Sequence, residues 1–175
     1  MNPSFNNGNW VDAVKVSMPE HVADLEKNLE IVMTKHGLQE IEAHGVALVA
    51  AVASGNGELA FEISMNGPLF GSDDRQLAIK SVVAQSINST FATFCRSASR
   101  LEYETLPTNI QSSPLTSEEE TKYELYSMAA ALVFRYEWMV WNYMELLKTK
   151  GYTDEQLRDI ADIVCVVSAI NKVVI

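Results

Sequence analysis

The chain has 175 residues, a formal net charge of −10, 47% hydrophobic residues and 21% charged residues. A chain of this length can bury the core of one domain, and its composition is typical of a globular rather than a disordered protein. The negative charge argues against nucleic acid and anionic membrane surfaces as partners, because both attract clustered Lys and Arg side chains. Solubility through repulsion between like-charged molecules is a sufficient explanation of this charge.

The first 16 residues are polar and rich in asparagine, without the basic start and apolar segment of a secretory signal. We expect an N-terminal arm over residues 1–16 and a single helical domain over residues 17–175. The longest apolar run, residues 45–53, is shorter than the ~20 residues that span a bilayer. The sequence therefore favours a cytoplasmic protein without a membrane partner.

The first helix signals follow this arm. Ser17 and Glu20 match a capping box. The predicted helix ends at Gly37, and its apolar stripe consists of Val22, Leu25, Leu29 and Val32. A second helix over residues 39–54 is small and apolar on nearly every side, which predicts a position deep in the core.

The middle of the chain alternates helices and breaks. A break at residues 55–57 precedes a shorter helix near residues 58–65. After a second break, acidic residues in a first turn open a long helix over residues 72–100. Residues 101–115 contain two prolines and several Ser, Thr and Asn residues, which predict an ordered connecting loop.

Two further capping boxes open the last helices. The first joins Thr116 and Glu119 and starts a helix that continues to Lys150 after a turn before Trp138. The second, over residues 153–156, starts the final helix, whose inward residues are predicted to be Leu157, Ile160, Ile163, Val164 and Val167. Recurring helix signals without convincing strand alternation predict an all-α fold.

The order of several short segments carries a family resemblance. They are Met18-Pro19-Glu20, an alanine-rich helix, Phe94-Cys95-Arg96, Tyr123-Glu124-Leu125-Tyr126-Ser127 and Leu147-Lys148-Thr149-Lys150-Gly151. This order resembles the alkylhydroperoxidase D family of the carboxymuconolactone decarboxylase superfamily. The resemblance implies the multi-helix fold of that family and a homo-oligomer, trimer or hexamer, assembled through helical faces.

The reactive motif of the family is a Glu followed by Cys-x-x-Cys and a nearby His. The two thiols attack the peroxide and form a disulfide, while the Glu and His move protons. Carried onto this chain, the resemblance puts Glu124 at the Glu, Tyr136 and Met139 at the cysteines, and Trp138 and Tyr143 at histidine positions. Since neither Tyr nor Met provides a thiolate, the thiol peroxidase mechanism cannot run at these positions.

Glu124 is the main candidate catalytic residue, with Tyr136 and Tyr143 as its candidate neighbours. One interpretation is a buried carboxylate that accepts a hydrogen bond from one of these tyrosines. It would allow acid–base chemistry, with Glu124 as the base and a tyrosine as the proton donor. The other interpretation is a solvated or ion-paired acid in the first turns of a helix, where the helix dipole favours negative charge.

The large side chains of this region also have two interpretations. Tyr136, Met139, Tyr143 and Leu147 follow helical spacing and predict a core stripe. Alternatively, Trp138 and Met139 belong to a small aromatic pocket that binds an apolar ligand, since aromatic and methionine side chains suit adaptable binding.

The cysteines and histidines give weaker signals. Cys165 lies in an apolar run and is expected in the core, whereas Cys95 precedes Arg96 and is the better candidate for a redox thiol. The spacing of the two cysteines matches no metal or redox motif, and we expect reduced thiols. Glu40 and His44 predict a surface pair rather than a metal site, and no cofactor is implied.

Three hypotheses for function follow. The first is a non-redox homo-oligomer that binds a ligand or acts as a scaffold. The second is an enzyme with acid–base chemistry in the same cavity, similar to the decarboxylase side of the superfamily. The third is residual peroxidase activity through Cys95.

Overall fold

The computed structural model describes residues 10–69, 71–97 and 115–173, and within these ranges all regular structure is helical. The all-α fold class predicted from the sequence is confirmed. A 3₁₀ turn, Glu20–Val22, accompanies the α-helices, which are α1 Trp10–Ser17, α2 Ala23–Thr34, α3 Glu40–Ala53, α4 Gly57–Met65, α5 Asp73–Ser97, α6 Ser117–Val133, α7 Glu137–Thr149 and α8 Asp154–Ile170. None of these helices is long and apolar enough to cross a membrane.

Helix α3 lies at the centre of the fold. It packs against α4, α5, α6 and α8, and its residues 42–51 are all buried. Small side chains make this position possible, because they let neighbouring helices approach closely on several sides. The helix starts with a capping box between Gln39 and Glu42, and its predicted depth is confirmed.

Helices α6 and α7 form a tight helical pair. The turn between them contains Arg135, whose backbone is left-handed with φ 56°, an uncommon conformation for a residue with a Cβ. The turn returns the chain so that Lys150, after the end of α7, lies beside Glu120 and Glu124 of α6. This pairing brings the two halves of the candidate site together.

The capping boxes predicted for the last helices are confirmed. Thr116 with Glu119 and Thr153 with Gln156 each show both reciprocal hydrogen bonds. The five inward residues predicted for α8 are all buried. The loop predicted over residues 101–115 lies, except for Leu115, outside the described residues, as does the predicted helix end at Arg100.

The capping box predicted at Ser17 and Glu20 is wrong. Ser17 ends α1, and its hydroxyl donates a 2.8 Å hydrogen bond to the carbonyl of Val14. A serine can satisfy a carbonyl at a helix end as well as an amide at a helix start, so the same residue type fits both places.

Helix α1 adds part of the predicted N-terminal arm to the hydrophobic core. Trp10, Val11 and Val14 are buried, and Trp10 is completely inaccessible. Its ring meets the ring of His44 edge to face, with centroids 6.1 Å apart. The division of the chain at residue 17 stays a prediction.

Candidate functional site

Glu124 forms an ion pair with Lys150 at the open end of the α6–α7 pair. Lys150 Nζ lies 2.7 Å from Glu124 Oε2, and the two side chains are 25% and 12% exposed. At this distance the opposite charges of the two groups attract each other strongly. Of the two interpretations of Glu124, the structure shows the ion-paired acid.

Tyr143 points into the helix packing, where the charge of Glu124 is near enough to contribute to raising its pKa. It is 9% exposed, and Gln85 Nε2 of α5 donates a 2.8 Å hydrogen bond to its Oη. Burial raises the pKa of Tyr143 above its ordinary value, while the nearby Ser127 hydroxyl and Gln85 partly oppose that rise. At neutral pH the phenol therefore stays protonated and is a weak proton donor.

The interior beside Tyr143 contains several buried polar groups. Among the described residues, neither Gln85 Oε1 nor Ser127 Oγ has a hydrogen-bond partner, and both are buried. Ser127 lies close enough to Tyr123 to lower the pKa of that phenol against the dominant effect of burial, which raises it. Unmet hydrogen-bonding capacity in a core is costly, so the Gln85 carbonyl oxygen is an energetically unfavourable feature of this packing.

The large side chains predicted for this region lie partly on the core-facing side of α7 and partly on its solvent-facing side. Tyr143 and Leu147 are buried, and Met139 packs partly buried against the core. Trp138 is 62% exposed, and its ring centroid lies 6.4 Å from that of half-buried Tyr136. Three of the four residues predicted for the core stripe, Met139, Tyr143 and Leu147, therefore pack against the core. The fourth, Tyr136, is half-buried beside Trp138, which lies on the surface.

The two cysteines lie on different helices, outside the α6–α7 pair. Cys95 of α5 is buried, Cys165 of α8 is exposed, and both are free. The prediction of Cys165 as a core residue is wrong. The inward face of α8 is set by Ile160, Ile163 and Val164, and a helical step of about 100° carries the next residue away from it.

His44 is buried, so the predicted surface pair with Glu40 is wrong. Its Nδ1 lies 2.8 Å from the backbone carbonyl of Glu40 rather than beside the carboxylate. Burial lowers the pKa of His44. Within the described ranges, no group of three or more His, Cys, Asp or Glu side chains is arranged to hold a metal ion.

A second polar cluster surrounds Glu42 at the start of α3. This carboxylate is 5% exposed, accepts a hydrogen bond from the Tyr152 hydroxyl and accepts another from the Gln39 amide at 2.9 Å. It lines a cavity of about 410 Å³ together with Lys122 of α6. Lys122 pairs with Asp74 at 3.2 Å and with Glu118 at 3.0 Å, so acidic groups outnumber this single cation around the cavity.

Sequence reasoning did not assign Gln85, Ser127 or Lys150 to the candidate site. Gln85 shares its helical face with buried Leu77, Ser81 and Ala84, and this periodicity was an available signal for a buried polar residue. Ser127 lies inside the buried run of α6. Lys150 pairs with a residue 26 positions earlier, and only the return of the chain at Arg135 brings them together.

Comparison with known proteins identifies relatives over most of the chain. Proteins named alkyl hydroperoxide reductase AhpD are similar to it in Maricaulis maris, at 25% identity over 166 residues that cover 93% of this chain and 96% of the relative. In Anaeromyxobacter dehalogenans (strain 2CP-C) the identity is 24% over 166 residues, with 91% and 87% covered. In Beijerinckia indica subsp. indica it is 26% over 127 residues, with 70% of each chain covered. No family model matches the chain.

These relatives confirm the resemblance that the order of segments predicted. In two of them the similarity covers 91–93% of this chain, so most of the helical framework, and not only the α6–α7 pair, shares in it.

Proposed function

We propose that this alkylhydroperoxidase D-like chain is a non-redox homo-oligomer that binds a ligand or partner, or acts as a scaffold, and does not reduce peroxide at the α6–α7 site. One observation carries the proposal. The side chains that meet there form a Glu124–Lys150 ion pair and a Gln85–Tyr143 hydrogen bond, while both cysteines lie on other helices. Peroxide reduction by this family's chemistry needs a thiolate and a resolving thiol together.

The acid–base alternative receives less support from the same geometry. Lys150 neutralises Glu124, which reduces its value as a free base. Burial raises the pKa of Tyr143 and weakens it as a proton donor. Tyr136 is half-buried and its nearest ring partner is Trp138 rather than an acid.

Residual peroxidase activity through Cys95 is also disfavoured. Cys95 is only 3% exposed, and Arg96 is engaged with the carbonyl of Ala92 at 3.4 Å. A peroxide would have to reach a buried thiol that has no second cysteine beside it to resolve a sulfenic acid.

The ligand in this proposal is small and largely apolar, with one polar group. Partly buried Met139 is the apolar side chain that such a ligand would meet first, and buried Ser127 and Gln85 carry polar atoms without a hydrogen-bond partner among the described residues. The trimer or hexamer, the cytoplasmic location and the reduced thiols belong to the proposal as well.

Hydroperoxide consumption with a dithiol reductant tests the proposal. We expect the wild-type rate to equal that of a Cys95→Ser/Cys165→Ser double variant, because neither thiol takes part. A thiol reagent should modify Cys165 in the native protein and Cys95 only after unfolding. A hydroperoxide rate that falls on Cys95→Ser alone, with unchanged helicity, would overturn the proposal.

A further inference from the structure

A cavity of about 370 Å³ lies between α1, α2 and α3. Its wall includes the apolar side chains of Val11 and Met33, which are 4% and 8% exposed, and the ring of His44, which is 9% exposed. Its volume is within the range of small-molecule sites, which combine apolar walls with a few polar groups. Because its lining residues come from the first three helices, it is a separate candidate site from the α6–α7 pair.

The ring of His44 has one nitrogen that is free to accept a hydrogen bond. Its Nδ1 lies 2.8 Å from the Glu40 carbonyl, and a carbonyl only accepts, so Nδ1 carries the proton. In the neutral ring Nε2 then keeps its lone pair, and this atom has no hydrogen-bond partner in the part of the chain that the structure describes. Unlike Gln85 Oε1, it is in contact with open space, and His44 lines the cavity.

The ring stays neutral at neutral pH. Burial lowers the pKa of His44 below its ordinary value, against the opposing effects of the carbonyl and the carboxylate of Glu40. A buried imidazole in this state accepts a hydrogen bond from a ligand without repelling a positive charge on it.

The cavity carries more negative than positive charge. Asp12, Glu30 and Glu40 line it, and Lys15 is the single lysine or arginine among its described lining residues. Lys15 is already paired with two of these acids, at 3.1 Å from Glu30 and 3.8 Å from Asp12. Glu40 has no ion-pair partner among the described residues, so its carboxylate is left without a counter-ion.

Glu40 and His44 can act on one ligand group. They are four residues apart on α3, a spacing that places two side chains on the same helix face, and the charge of Glu40 is near enough to raise the pKa of His44. Both offer acceptors, a carboxylate and a lone pair, so the matching group donates N–H and is positively charged. A metal ion fits less well, because no set of three or more His, Cys, Asp or Glu side chains in the described ranges is arranged to hold one.

We propose that this cavity binds a small organic amine with an apolar body. Its ammonium group pairs with the Glu40 carboxylate and donates a hydrogen bond to Nε2 of His44, while its apolar body lies against Val11 and Met33. One ammonium group has three N–H donors and can serve both acceptors. The inference is independent of the proposed function, and its failure leaves the assignment of the α6–α7 site unchanged.

Titration of the protein with benzylamine, followed by NMR of the imidazole C–H groups, tests the site. Signals of all three histidines are observed, and His44→Gln identifies the His44 signal by its disappearance. We expect the His44 signal to shift to saturation at neutral pH while that of exposed His21 stays in place. A His44 signal that does not respond to benzylamine overturns the proposal.

Two further probes separate the charge of the ligand from its apolar body. Benzyl alcohol has nearly the same shape as benzylamine without the charge, and methylamine has the charge without the ring. Each should bind about tenfold more weakly than benzylamine, because each lacks one of the two contacts. Equal affinity for benzyl alcohol would contradict recognition of an ammonium group.

Glu40→Gln tests the carboxylate by calorimetric titration. Since Glu40 is exposed, the variant should keep its helicity, and we expect its affinity for benzylamine to fall by about tenfold. Asp24→Asn is the matched control, because Asp24 is also an exposed acid in the first turn of a helix, α2, and does not line the cavity. Its affinity should match the wild type, and an equal loss in both variants would overturn the proposal in favour of attraction by net charge.

Discussion

The ring of Tyr126 lies directly against the backbone of Gly45, where α6 crosses α3. A Cβ at position 45 would overlap Cε1, Cζ and Oη of this ring. Tyr126 is completely inaccessible, so surrounding side chains prevent it from moving aside. The close approach of the two central helices therefore depends on the absence of a side chain at Gly45.

We expect Gly45→Ala to lower the free energy of unfolding by about 1–3 kcal/mol, the usual cost of overpacking a core. Gly57→Ala is the matched control, since nothing lies within 4 Å of a Cβ at that position and its backbone does not require glycine. Urea unfolding followed by circular dichroism measures both. Equal stability of the two variants would contradict the steric role of Gly45.

Two phenols near Glu42, buried Tyr126 and half-buried Tyr152, should respond in opposite ways to loss of their hydroxyls. Tyr126 Oη has no hydrogen-bond partner among the described residues, so Tyr126→Phe should leave stability unchanged or raise it. The Tyr152 hydroxyl donates to buried Glu42, and Tyr152→Phe should cost about 1–3 kcal/mol because it leaves a carboxylate oxygen without that donor. Paired thermal and urea unfolding curves compare the variants, and the expectation fails if Tyr126→Phe proves the more harmful.

Removal of Lys150 should leave Glu124 as an unmatched charge. We expect Lys150→Met to destabilise the fold by roughly 1–3 kcal/mol, because a charged group deprived of its partner keeps its desolvation cost. Adding Glu124→Gln should recover part of the loss, and this double-mutant cycle measures the coupling.

Lys148→Met provides the control for that experiment. Lys148 lies 2.8 Å from Asp154, but the two side chains are 39% and 84% exposed, so solvent screens the pair and its loss should matter much less. If both lysine substitutions have the same effect, the partial burial of the Glu124–Lys150 pair is not important for stability.

Acidification should weaken the fold through His44. Burial lowers its pKa in the folded protein below the ordinary value of 6.5, so the unfolded chain takes up a proton first as the pH falls. The contribution of His44 to stability is therefore complete above about pH 6.5 and declines below it, by at most about 1.4 kcal/mol per pH unit.

A His44→Gln variant should show a flatter pH profile between pH 7 and pH 5 than the wild-type protein. His21→Gln is the control, since His21 is exposed in the 3₁₀ turn, and its profile should follow the wild type. Urea midpoints at several pH values measure these slopes, and parallel profiles for wild type and His44→Gln would contradict the assignment.

Local sequence signals predicted much of the helical framework. Thr116 and Thr153 have acceptor side chains followed three residues later by Glu or Gln, and both start helices as expected. The same type of motif at Ser17 led to an error, because a serine hydroxyl can also close a helix. A capping motif predicts that a helix boundary is present more reliably than it predicts whether a helix starts or ends there.

Whether a helical residue faces the core depends on its angular position around the helix axis. The hydrophobicity of a run of residues does not give that angle. Cys165 and Val164 are neighbours in one apolar run, yet Val164 is 5% exposed and Cys165 is exposed. The phase of α8 was available from Ile160 and Ile163. For His44, by contrast, burial follows from the docking of Trp10, a contact between distant parts of the chain.

The candidate site was predictable only in part, because its pairings join separate helices. Glu124 was identified from its segment, but its partner Lys150 depends on the turn at Arg135. Likewise, the hydrogen bond between Gln85 and Tyr143 joins residues 58 positions apart. No local pattern specifies such contacts.

The three tryptophans of the chain report on different parts of the molecule. Trp10 is inaccessible, whereas Trp138 and Trp141 are 62% and 59% exposed. Iodide should quench the emission of Trp138 and Trp141 in α7 and leave the emission of Trp10, on the buried side of α1, unquenched. The blue-shifted, unquenched emission of Trp10 would then report whether α1 stays packed on the core, without any added dye. The quenchable emission would report binding of a ligand or partner to the exposed side of α7.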